Sequence, residues 1–246
     1  MLNLLRTFLK SSELIQVGTS NTVSIILKLI SAFITSKLTA LFLGSTGISL
    51  LGSWRNATEL IQKISTASMQ NGVVRYAADT RNSIEETKAF QATLFYIGCI
   101  ICAVVMFLSF VFAQSINDYV FMDQDHSDVI RLLAILLPLS TINIHLQSIL
   151  KAYEEFLTVV RINNFGHVCN VFLFAISVYF FNLKGALLSV AIVPCFIGIY
   201  TVFEAYKSRL VFYKFSISQV RKIYAFGLRD YAFMTIISTL IFPFTY

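Results

Sequence analysis

Arg55, Thr58, Glu59, Gln62, Lys63, Thr66 and Gln70 recur at spacings of three and four within an otherwise apolar segment. At 100° per residue they share an arc of about 140° on one helix, opposite Ala57, Leu60, Ile61, Ile64 and Ala67. Two more cations, Lys28 and Lys37, interrupt the preceding apolar run "TVSIILKLISAFITSKLTALFL" (22–43). A charge inside a membrane costs roughly 2.5 kcal/mol or more on insertion scales, so it faces a bundle interior or a water-filled cavity. Glu59 lies four residues from both Arg55 and Lys63 and can neutralise one of them, not both. Four cations thus stand against one acid, and no acid in the other spans offers a deep partner. The expectation is an aqueous cationic cavity suited to an anionic passenger. A diphosphate is the natural candidate, because lysine and arginine bind phosphate through charge-assisted hydrogen bonds.

Weaker polar lines add to this one. Asn143, Gln147 and Lys151 repeat every four residues, and Asn163, His167 and Asn170 form a similar line. Both patterns fit cavity lining and interhelical hydrogen bonding equally. His145 and His167 have no acidic or cysteine companions at metal-ligand spacing, so neither a metal nor a cofactor is expected. Cys99, Cys102, Cys169 and Cys195 all fall in apolar segments, where thiols pack as small hydrophobes. No phosphate-cradling glycine loop, carboxylate pair or activated nucleophile is present, which argues against an enzyme.

The elements that must carry these residues are membrane helices. The chain has 246 residues, 57% of them apolar and 13% charged, with a mean hydropathy of +0.73. Crossing a hydrocarbon core takes about 20 apolar residues. Segments 21–43, 48–74, 89–113, 129–150, 157–181 and 185–206 qualify, and 230–246 opens a seventh. Their length excludes a β-barrel, whose strands alternate over about 10 residues. The fold class expected is therefore all-α, a polytopic bundle of six transmembrane helices plus the start of a seventh.

Residues 1–20 lack a signal-peptide pattern and place Leu2, Leu5, Phe8 and Leu9 on one face, as an interfacial helix would. Residues 207–229 read as a basic, amphipathic linker on the cytoplasmic side. Pro138 and Pro194 fall inside segments four and six, where each removes a backbone hydrogen bond and is expected to kink the helix.

The net charge of +6 reports topology here, not a nucleic-acid partner. Arg75, Arg81 and Lys88, then Lys151 and Arg161, then the cations of 207–229 occupy alternate loops, while residues 114–128 carry four aspartates. The positive-inside rule puts the basic loops and the N-terminus in the cytoplasm.

Residues 14–78 and "NLKGALLSVAIVPCFIGIY" (182–200) resemble bacterial lipid-linked oligosaccharide flippases. The likeness is to the O-antigen and enterobacterial common antigen translocases of the multidrug/oligosaccharidyl-lipid/polysaccharide exporter superfamily. The matching features are Lys28 and Lys37 in the first span, a Leu-Gly-X-X-Gly turn at 43–47, Arg55, and Asn71-Gly72-Val73 leading to Arg75 and Tyr76. Ile130-Arg131-Leu132, Lys151 and Gly185-Ala186-Leu187-Leu188 complete them.

The resemblance implies an inner-membrane transporter that flips an undecaprenyl-diphosphate-linked glycan by alternating access between two six-helix lobes. On that basis Lys28, Lys37, Arg55, Lys63, Glu59 and Gln62 would line the cationic cavity, with Asn71, Arg75, Asn143, Gln147, Asn163 and His167 as further lining. This chain matches the N-terminal lobe, so a second lobe or a homodimer partner is expected. A multidrug/cation antiporter of the same superfamily has the wrong sign of charge for its cargo, since Glu59 is the only acid in the first two spans. A non-transporting membrane subunit is the other alternative.

Lys28 and Lys37 are nine residues apart, about 900° round the helix and roughly 13 Å along it, so they do not share a face. Lys28, nearer mid-membrane, is the better candidate for meeting the charged stripe. Lys37 is close enough to the helix end to snorkel.

Overall fold

The computed structural model describes residues 2–66, 74, 84–122 and 124–207, with only the backbone given for 2–15 and 84–94. Among the described residues five helices are delimited, in order: α1 (Leu2–Ser65), α2 (Ile84–Val111), α3 (Ala113–Phe121), α4 (Ser127–Ala152) and α5 (Phe156–Lys207). No strand occurs among the described residues. The 230–246 segment and all of the 207–229 linker except Lys207 lie outside them, as do Gln70, Asn71 and Arg75.

Among the described residues three helices are long and apolar enough to cross a membrane, namely Gln16–Ser65, Ser127–Ala152 and Phe156–Lys207. A fourth span results if Phe95–Val111 and Ala113–Phe121, bent by 71°, count as one. That is fewer than the six expected, and the difference has a physical origin. The 50 residues of Gln16–Ser65 would measure about 75 Å if straight, more than twice a hydrocarbon core. They are not straight: Gly44 has φ 66° and ψ −165°, and Asn182 in α5 has φ 48° and ψ −129°, both non-helical. Glycine and asparagine are the residues that enter this region most cheaply. Both lie in the short loops expected between segments one and two and between five and six.

The expected proline kinks are not where the helices break, because α4 and α5 run through Pro138 and Pro194 with no non-helical residue at either. The α1 backbone is helical from Leu2 onward, continuous with the first apolar segment.

The first half of α1 is inside out by the standard of a water-soluble protein. Its buried face consists of Ser24, Ser31, Thr35 and Thr39, while Val23, Ile26, Leu29, Phe33 and Leu41 face outward, the last two 70% exposed. Small hydroxyl residues let two helix backbones approach closely where lipid, not water, surrounds them. Thr35 and Thr39 return their hydroxyls to the carbonyls of Ser31 and Thr35, at 2.9 and 2.7 Å. Ser31 instead reaches across to the His167 carbonyl of α5 at 3.1 Å.

The second half of α1 buries Leu51, Trp54, Thr58, Ile61 and Ser65, again at spacings of three and four. Trp54 is fully buried; its indole N–H donates to the Leu187 carbonyl at 3.0 Å and its ring lies 5.6 Å from Phe121. Ser65 and Thr141 are 2.9 Å apart, and the Cys102 thiol lies 3.4 Å from the same hydroxyl, tying α1, α2 and α4 together. On α5, an added Cβ at Gly198 would come within 2.7 Å of the Leu139 carbonyl oxygen, so α4 and α5 cross in direct backbone contact.

Candidate anion-binding face

The charged stripe of α1 does not point into the packed core of the described helices. Thr58 and Thr66 are buried, Gln62 and Lys63 half-buried, and Arg55 and Glu59 exposed. The stripe therefore straddles the edge of the packing face, with its charges outside and its hydroxyls within. The reason is steric as well as electrostatic. Leu51, Trp54 and Ile61 claim the centre of the face, which leaves the long charged side chains the rim.

Glu59 makes one choice between its two neighbours. Its carboxylate pairs with the Lys63 ammonium at 2.8 Å, one helical turn away. Arg55 is left to a different partner: its guanidinium lies 5.9 Å from the ring centroid of the buried Phe174. A cation over an aromatic face retains its charge and its outward-facing donors.

Phe174 belongs to a line on α5. Asn163, His167, Asn170 and Phe174 follow at four, three and four residues, within about 60° of one another. Asn170 reaches Ser31 of α1 at 3.5 Å, and Lys28 lies within electrostatic range of His167. One face of α5 is thus bordered by Lys28 from the first half of α1 and by Arg55 from the second. Both cations are exposed. Lys37 is exposed as well, and on an ideal helix it falls half a turn from Lys28.

Of the further lining expected, Asn143 is buried and spent between helices. Its Oδ1 accepts from Thr201 Oγ1 at 2.7 Å and from Gln147 Nε2 at 3.0 Å. Asn143 thus joins two helices, while Gln147 bonds within α4 and Lys151 is exposed. Asn163 and His167 are half-buried on the face described above.

Sequence reasoning missed Glu204, which is buried in the last turn of α5. Tyr200 donates to its Oε1 at 3.0 Å, and Arg161 stands 3.8 Å from its Oε2. The i, i+4 spacing of Tyr200 and Glu204 was the available signal. Its partner Arg161 lies forty-three residues away and is reached only through the reversal at Asn182. No cluster of three metal-ligating side chains occurs among the described residues.

The fold and its surface define a class: an all-helical chain with helices long and apolar enough to cross a membrane, carrying cations beside one helix face. Compared with protein families, curated proteins and solved structures, the chain matches none.

Proposed function

We propose that this chain is one lobe of a bacterial inner-membrane flippase. Its cargo would be a polyprenyl-diphosphate-linked oligosaccharide of the O-antigen or common-antigen type, moved from the cytoplasmic to the periplasmic leaflet. In this reading the breaks at Gly44 and Asn182 divide the two longest helices into separate spans. With α4 and the bent α2–α3 pair these make six, and the N-terminus is cytoplasmic.

The observation that carries the proposal is the position of Arg55. It sits about eleven residues, roughly 16 Å, past the Gly44 break, near mid-bilayer, and its charge is not cancelled by Glu59, which pairs with Lys63. An uncancelled guanidinium at that depth needs an aqueous or anionic environment. A cleft shared with a second lobe, or with a second copy of this one, would supply the water, and a diphosphate would supply the charge. Exposure of Lys28 and Arg55 on the isolated lobe is what such a cleft requires, since the wall of a cavity between lobes is open when one lobe is taken alone.

Deleting the gene should cause polyprenyl-linked repeat units to accumulate on the cytoplasmic side, and unchanged surface glycan in a strain without a paralogue would sink the proposal. Arg55→Ala and Lys28→Ala should each lower translocation by about tenfold, the size of one charge-assisted contact, while membrane insertion stays normal. Full activity in both variants would remove the anion-site assignment.

A further inference from the structure

A cleft of about 470 Å³ opens between α1 at Gln16, Ser20 and Val23 and the first turns of α5. Gln16, Ser20 and Val23 form one wall and Val160, Arg161 and Asn164 the other. Gln16, Ser20 and Val23 are four and three residues apart on one face of α1, and Val160 and Arg161 each lie one turn from Asn164 on α5. We propose that this cleft is a binding site for a membrane phospholipid whose headgroup is an anionic phosphodiester bearing hydroxyls, of the phosphatidylglycerol class.

Three features specify that chemistry. The first is a guanidinium with unused donors. Arg161 donates one hydrogen bond, from Nη2 to Thr158 Oγ1 at 3.0 Å, and its approach to Glu204 at 3.8 Å is too long for another. Its side chain is 55% exposed, so the remaining N–H groups are open to a ligand. The second is an orphan. Asn164 Oδ1 is buried with no hydrogen-bond partner, and a buried acceptor left unpaired is costly enough that a headgroup hydroxyl gains by filling it. The third is the apolar wall of Val23 and Val160, which matches an acyl chain and not a soluble anion.

Charge then selects among phosphates. Thr158 donates to Glu155, and Glu204 faces the same guanidinium, so two carboxylates already flank this cation. A phosphodiester with a single negative charge is better tolerated there than a diphosphate. Position agrees with this choice. Arg161 stands six residues, about 9 Å, along α5 from the polar turn at Glu155, a depth from which an arginine reaches the headgroup layer.

The test uses the full chain purified in detergent, with retained lipid read by native mass spectrometry. Dioleoyl phosphatidylglycerol, dioleoyl phosphatidylmethanol and dioleoyl phosphatidylcholine are supplied in equal amounts. Wild type should retain phosphatidylglycerol best, then phosphatidylmethanol, which keeps the charge and lacks the hydroxyls, and phosphatidylcholine least. Arg161→Ala should weaken retention of both anionic lipids about tenfold. Asn164→Leu should erase the preference for phosphatidylglycerol over phosphatidylmethanol and leave the anionic preference intact.

Fluorescence of Trp54, the chain's one tryptophan, reports at the far end of the bundle whether each variant is folded. Equal retention of the three lipids by wild type overturns the proposal without reference to any variant. So does a folded Arg161→Ala protein that keeps its anionic preference. Displacement of phosphatidylglycerol by an equimolar polyprenyl-diphosphate sugar would assign the cleft to cargo and overturn it equally.

Discussion

The two ends of this bundle are built on opposite principles. At the end where the chain reverses at Gly44 and Asn182, Leu51, Trp54, Phe121, Val129, Ile130, Ala186 and Leu187 close into one buried apolar cluster. Asn117 fastens the loop above it, accepting the His126 backbone N–H at 2.7 Å and donating to the Gln124 carbonyl at 3.1 Å. Lys184 and Asp128 pair across the same end. At the opposite end, among the described residues, a smaller cluster joins Leu150, Val159 and Ile162, with Ile197 and Tyr200 against it. Around it lie Glu155, Thr158, Arg161, Glu204 and an open cleft. The difference is one of chemistry: among the described residues apolar side chains clamp the reversing end together, while polar groups and an open cleft occupy the other.

The sharpest way to break the comparison is at Trp54. Truncation to alanine removes a fully buried ring, its bond to Leu187 and its contact with Phe121, and should cost about 3–5 kcal/mol of unfolding free energy in detergent. A small loss would show that this end is no clamp.

A smaller effect separates two glycines. At Gly185 a new Cβ would collide with the Ser177 backbone carbonyl across the reversal, so Gly185→Ala should cost about 1–3 kcal/mol. At Gly166, toward the opposite end, the obstacle is the terminal methyl of Ile197 at 2.8 Å, which can rotate away. Gly166→Ala should therefore change thermal stability by less than Gly185→Ala does; the reverse order would contradict this comparison of the two ends.

The smallest effect is expected at His126, in the loop over the clamp. Partial burial holds its pKa below the ordinary histidine value, Asp128 and Asp125 opposing and Lys184 adding to the shift, and its ring packs edge-on against Phe121 at 5.0 Å. The unfolded chain takes up the proton first, so stability should decline as pH falls below about 6.5. His126→Gln should flatten that slope in a pH series of melting temperatures.

Helical class, the apolar segments and two of the reversals were legible because they depend on local runs of residues. Long apolar stretches require internally bonded helices in a bilayer, and Gly44 and Asn182 sit in the loops that the hydropathy pattern marks. The 113–121 helix was not legible, since residues 114–128 read as a polar loop and only its packing through Ala113, Asn117 and Phe121 shows why it forms. Within the candidate site, the choice facing Glu59 was visible from spacing, but which cation it takes was not. The Glu59–Lys63 pair goes with the placement of Phe174 of α5 beneath Arg55, which no spacing within α1 encodes.

The sequence by itself determined that this chain is helical, apolar and supplied with more buried-segment cations than one acid can balance, because those properties are sums over neighbouring residues. Tertiary structure alone decided which face each cation occupies. Whether Asn143 lines a cavity or joins two helices, and whether Glu204 meets Arg161, depend on how helices distant in the chain cross. Crossing is fixed by the shapes of Trp54, Gly185 and Gly198 in contact, which no periodicity within a single helix encodes.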